Sequence, residues 1–253
     1  MRAIRTFLQA GWGCSGGYHH LDEDEGKYKE TDLMALRILE HTFQDGKELE
    51  VYYQIIAEVK KSEKPWIVFK ESFEGRYRPS DAWNNLISTN NVSIYKSKLS
   101  RALRSGSLYS ILNWKGYSIH ESFKKPDTHS RWYAAFVSVC QAAEHMFANI
   151  EQQGFGEYEL TFIKPVVILD GILVAASLTE GGELLLEEVQ FAPFEFLHKF
   201  KKSDRKVAKD RYRVDVVTLS SLSEYIKISE TRQEDILKSL ATLLESKSAE
   251  SGS

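Results

Sequence analysis

A chain of 253 residues, 42% hydrophobic and 27% charged, has the make-up of an ordinary globular protein and the length to bury a sizeable core. Its formal charge of -3 and pI near 6.2 exclude a global basic field, so contact with nucleic acid has to rest on local patches. Cys14 and Cys140 are too few and too far apart for a disulfide framework or a zinc site, which points to a reducing cytosol.

The N-terminal segment MRAIRTFLQAGWGC is basic, but Arg5, Gln9 and Gly11 interrupt its apolar run before it could act as a signal sequence. No later window approaches the roughly 20 apolar residues of a membrane span, so a soluble, cytoplasmic protein with no membrane partner is expected. Residues 17–38 carry two extended runs around the polar turn LDEDEG, a hairpin pattern. Val51 to Val59, VYYQIIAEV, is rich in β-branched and aromatic residues and reads as a strand. KPWIVF, Lys64 to Phe69, follows it as another, giving a three- or four-stranded sheet.

Ser80–Ser88 and Ile94–Leu112 are loose helical candidates. Arg131 to Gln152 is the clearest helix, with Tyr133, Phe136, Val137, Cys140, Ala143, Phe147 and Ile150 at helical spacing, and it should cover one face of the sheet. After Gly154 the chain returns to strands: PVVILDG, ILVAASL, ELLLEEVQF and YRVDVVTL, whose near-continuous apolar runs predict a sheet covered on both faces. Asp170-Gly171 reads as a turn. Ser221 to Leu244 is an amphipathic helix, and residues 247–253 are too small and polar to bury anything, a disordered tail. The sum is one α/β domain over residues 1–246, with a mixed central sheet flanked by helices.

Strand side chains alternate faces, so Glu58 and Lys60 in AEVK emerge together while Ala57 and Val59 face the other way. Glu30 and Asp32 share a face in the same manner. If the two strands are neighbours, three carboxylates and one ammonium converge, and apolar strands carry such groups at a sheet end or a binding site because unpaired buried charge is costly. Asp32, Glu58, Glu30 and the Val59 carbonyl are hard oxygen donors suited to Mg²⁺ or Mn²⁺. Lys60 is suited to steadying charge on a phosphate or its attacking water.

The order of an acid near the start of one strand (Glu30-Thr31-Asp32), a hairpin, then Glu58-Val59-Lys60 on an apolar strand resembles the PD-(D/E)XK nuclease superfamily, without the proline of the nominal motif. The motif-bearing stretch is residues 17–70. The resemblance implies a restriction-endonuclease-like fold in which Asp32 is the first metal-binding acid, Glu58 the second and Lys60 the catalytic lysine. It also implies Gln141 as the helical glutamine of the Mrr-like branch, and an additional β-rich C-terminal part, PVVILDG through EVQF, outside the shared core. The implied function is Mg²⁺- or Mn²⁺-dependent endonucleolytic hydrolysis of DNA, with RNA as an open alternative substrate, in restriction or phage defence. The implied partner beyond nucleic acid is a second copy of the chain or a component of a defence complex.

Two basic stretches, one with Lys96, Lys98, Arg101 and Arg104 and one that includes Lys201 and Lys202, are candidates for phosphate contact; a solvated face is at least as good a reading of each. The run Asp22-Glu23-Asp24-Glu25 lacks the ligand spacing of a calcium loop and reads as a solvated turn, and His19 and His20 read as strand surface. Two other functions are compatible with the same residues. One is a catalytically inactive nuclease-like module that binds nucleic acid or protein within a larger complex; the other is a globular scaffold in which the charged strand positions form ordinary salt bridges.

Overall fold

The computed structural model describes residues 2–22, 26–72, 86–90, 111–122, 131–153, 158–198 and 211–251. Helix α1 (Arg2–Gln9) is followed by β1 (Gly13–Asp22), β2 (Lys27–Thr42), β3 (Glu48–Lys61), β4 (Trp66–Ser72), β5 (Leu86–Asn90) and β6 (Trp114–Glu121). Helix α2 (Arg131–Gln153) leads to β7 (Tyr158–Asp170), β8 (Leu173–Leu178), β9 (Leu184–Glu188), β10 (Phe191–Leu197) and β11 (Arg211–Thr218), and a short 3-10 turn opens the last helix, α3 (Leu222–Ser251). Among the described residues no helix is long and apolar enough to cross a membrane.

Among the described residues the strands form one 11-stranded mixed sheet in the order β1-β2-β3-β7-β11-β10-β6-β4-β8-β9, with β5 paired to β7 off this path. The hairpin of β1 and β2 matches the sequence reading, and β2 pairs antiparallel with β3, so the condition that the two charged strands be neighbours is met. β4 does not join them. It lies between β6 and β8, while β3 pairs in parallel with β7 from Leu49↔Tyr158 to Lys61↔Asp170. The segment expected as an appendage outside the core therefore supplies, in β7, a central strand beside the one that carries Glu58 and Lys60. β7 is buried from Glu159 to Leu169, which includes the near-continuous apolar run Pro165–Leu169 and also the polar Glu159, Thr161 and Lys164.

β3 and β7 turn a corner together. Ser62 N–H donates to Asp170 O at 3.1 Å and Trp66 N–H to Ile172 O at 2.9 Å, after which β4 and β8 resume the parallel pairing at Trp66↔Leu173. Gly171 is needed in this corner because a Cβ there would stand 2.6 Å from the Ser62 carbonyl oxygen. The path β7-β11-β10-β6-β4-β8 thus returns to the chain continuation of β7, and the sheet curls around one core. Val167, Val214, Phe194, Trp114, Val68 and Leu173, one from each of these strands, meet in it with Phe136 of α2.

The opposite face of β2, β3 and β7 is closed by α1 and α3. Leu33, Val51, Tyr53, Ile55, Ala57, Val166 and Ile168 pack there with Phe7, Tyr225, Ile236 and Leu240. Trp12 Nε1 donates to Glu230 at 2.9 Å and Gln233 Nε2 to the Val51 carbonyl at 2.8 Å, tying α3 to the sheet by polar contacts as well. α2 matches its expected span and covers the other face.

Four further expectations change. Residues 86–88, assigned to a helix, belong to β5, where Ile87 and Ser88 pair with Phe162 and Thr161; residues 80–85 and 94–110 lie outside the described part. The ELLLEEVQF run divides into β9 and β10 around Val189-Gln190, whereas α3 extends past residue 244 to Ser251. His20 is buried, not strand surface: its ring lies parallel to Tyr18 with centroids 6.3 Å apart and approaches His145 of α2.

Candidate active site

Alternation along β3 sends Val51, Tyr53, Ile55 and Ala57 into the core under α3, and Ile56, Glu58 and Lys60 toward α2. β2 follows β3 only as far as the pair Leu33↔Ala57. Beyond that pair β2, among the described residues, stays with β1, and a gap opens beside β3 at the residues that carry charge. Val59 N–H, without a β2 carbonyl to meet, donates instead to Asp32 Oδ2 at 2.6 Å. That bond fixes Asp32 across the mouth of the gap.

Lys60 reaches back along its own strand to Glu58 Oε2 and lies 3.8 Å from Asp32 Oδ2, so its ammonium bridges the two acids. The other oxygen of Glu58 accepts a hydrogen bond from Ser138 Oγ of α2 at 2.7 Å. The three side chains are graded in depth: Glu58 is 6% exposed, Lys60 29% and Asp32 47%. Burial pushes the Glu58 carboxyl above its usual range, the hydrogen bond and charge of Lys60 and the Ser138 hydroxyl pull it back, and Asp32 pushes it up again.

The structure therefore brings Asp32, Glu58 and Lys60 to one place, as alternation predicts. The expected third carboxylate does not join them. Glu30 follows β2 away from β3, pairs with His19 in register, and lays its side chain over Gly17. Gly17 has φ +71°, and a Cβ at that position would sit 2.9 Å from Glu30 Oε1, so both conformation and space call for glycine. Among the described residues no group of three or more His, Cys, Asp or Glu side chains is arranged to hold a metal ion. The oxygen donors facing one another are the two carboxylates, with the Val59 carbonyl on the strand between Glu58 and Lys60.

Gln141 lies one helical turn beyond Ser138 on α2; among the described residues its buried side-chain oxygen makes no hydrogen bond, and none joins it to Asp32 or Glu58. Lys96, Lys98, Arg101, Arg104, Lys201 and Lys202 lie outside the described residues. Two features escape the sequence reading. Ser138 is one; its signal is the polar series Ser138, Gln141, His145 at helical spacing beside the apolar positions of the helix. The other is the buried ion pair of Lys164 and Asp215, 2.9 Å apart on the α3 face, signalled by the lone charge of Lys164 in the apolar run TFIKPVVIL and by Asp215, which follows Arg213 in YRVDVVTL. No protein family, curated protein or solved structure matches the chain.

Proposed function

We propose that the chain is a divalent-metal-dependent endonuclease of the PD-(D/E)XK kind, with a restriction-endonuclease-like core, that hydrolyses phosphodiester bonds in DNA. The observation that carries this reading is the meeting of Asp32, Glu58 and Lys60 where β2 parts from β3. Two carboxylates and a backbone carbonyl are a hard donor set that fits Mg²⁺ or Mn²⁺, each of which keeps several waters and takes up phosphate oxygens. Asp32, Glu58 and the Val59 carbonyl would hold the ion, which when bound lowers the pKa of a water and neutralises charge on the phosphate.

The chain's own contribution is to place charge and exclude freedom. Glu58, deep in the site and held at both oxygens, offers a carboxylate that is already oriented. Asp32, fixed by the Val59 amide and half exposed, is the donor that an incoming phosphate meets first. Lys60 brings a compact positive charge that is free to swing from the acids to a phosphate oxygen or to the attacking water. The test is cleavage of plasmid and linear DNA in Mg²⁺, in Mn²⁺ and in EDTA. Cleavage by the wild type that EDTA abolishes, and that Asp32→Ala and Lys60→Ala lack, is the expected result; cleavage that survives either substitution sinks the proposal.

The contact of Lys60 with both acids favours a second reading, an inactive nuclease-like module in which the ammonium permanently neutralises the carboxylates. In that case calorimetry with Mn²⁺ gives no heat of binding, while the protein still shifts DNA or a partner.

A further inference from the structure

Ser138 stands out by what its hydroxyl does. A serine or threonine within a helix commonly returns its hydroxyl to the carbonyl four residues back, as Ser229 does to Tyr225 O at 3.0 Å and Thr231 to Lys227 O at 3.0 Å on α3. Ser138 instead crosses to the sheet and donates to Glu58 Oε1 at 2.7 Å. The helix that carries it is anchored on both sides of that point, by Ala135, Phe136, Val139 and Cys140 in one core and by Ala142, Ala143 and Met146 in another. The donor therefore sits on a rigid support, whereas the glutamate it meets has three side-chain torsions to restrain.

We propose that Ser138 is a positioning residue, whose hydroxyl fixes the rotamer of Glu58 and so the orientation of its carboxylate toward a divalent cation. The inference rests on the nuclease reading above and deepens it. Without the hydroxyl, Glu58 Oε1 is left buried without a partner and the carboxylate is drawn toward Lys60 alone. Partners that orient a metal-binding side chain typically contribute 10–100-fold to metal affinity or activity, and the same range is expected here.

The experiment uses the full chain with threonine and valine at position 138, a pair of equal shape that differs in the hydroxyl, alongside Ser138→Ala. Calorimetric titration with Mn²⁺ should show affinity within a few-fold of wild type for Ser138→Thr and about 10-fold or more weaker for Ser138→Val and Ser138→Ala. In DNA cleavage kcat should fall for the valine and alanine variants while KM stays within about twofold, because no contact to DNA is removed. Ser138→Val that binds Mn²⁺ as tightly as Ser138→Thr, in a protein whose wild type binds and cuts, overturns the role of Ser138 and leaves the nuclease reading standing. A wild-type protein that neither binds Mn²⁺ nor cuts DNA overturns both.

Discussion

Two carboxylate–ammonium groupings lie on opposite faces of the same sheet, and they differ in what surrounds them. On the α3 face, Lys164 and Asp215 are 6% and 4% exposed, and the remaining Asp215 oxygen accepts the Tyr225 hydroxyl at 2.9 Å. Burial lowers the Lys164 pKa against the pull of Asp215, with Arg232 and Arg213 adding to the lowering. On the α2 face, Glu58 is as deeply set, but Lys60 and Asp32 reach solvent through the gap between β2 and β3. The chemistry is the same. A sealed pair is committed to the fold, whereas an open one keeps donors and a mobile cation where a ligand can arrive.

The largest expected effect lies on the sealed side. Asp215→Ala leaves the Lys164 charge buried without its partner and should cost about 3–5 kcal/mol of unfolding free energy in urea, the usual result of breaking a buried pair. Replacing both partners, Lys164→Met with Asp215→Leu, should recover most of that loss, since apolar groups of similar volume commonly replace a buried pair at little cost. A double variant no more stable than Asp215→Ala would mean that the pair does not act as a unit.

The open side should behave in the opposite way. Lys60→Ala should change stability by no more than about 1 kcal/mol, as expected for a partly exposed ion pair, yet lower the DNA cleavage rate by about 10²–10³-fold. A large loss of stability with unchanged cleavage would exchange the roles of the two faces.

The smallest effect is a pH slope. Burial raises the Glu58 carboxyl in the folded chain, while the unfolded chain keeps the ordinary value. Between those two values the folded state holds the proton that the unfolded state has released, so stability falls as pH rises through that interval and is level above it. Glu58→Gln removes the ionisation. Chemical denaturation across the acid-to-neutral range should show the variant gaining on wild type as pH rises, and a constant difference would contradict the burial of this carboxyl.

Much of the site is legible in the sequence because strand alternation is a rigid rule. It places Glu58 and Lys60 together on β3 and Asp32 on the matching face of β2, and a hairpin makes those strands neighbours. Glu30 obeys the same rule yet misses the site, because alternation says nothing of where two strands part company, and β2 leaves β3 after Leu33. The position of β4 is illegible for a similar reason. A short turn after β3 suggests a hairpin, but Ser62 to Pro65 form a corner shared with Gly171 and Ile172, and that depends on β7, almost a hundred residues later in the chain. Ser138 and the pair of Lys164 and Asp215 need the tertiary partner before their roles can be read. The polar residues were visible within their apolar runs, and the groups they meet were not.

The most direct test of the account is the anomalous scattering of a crystal soaked in Mn²⁺. Density between the Asp32 and Glu58 carboxylates, absent from the same crystal form of Asp32→Ala, is the predicted result. A soaked crystal in which that place holds only the Lys60 ammonium, still bridging the two acids, would contradict it.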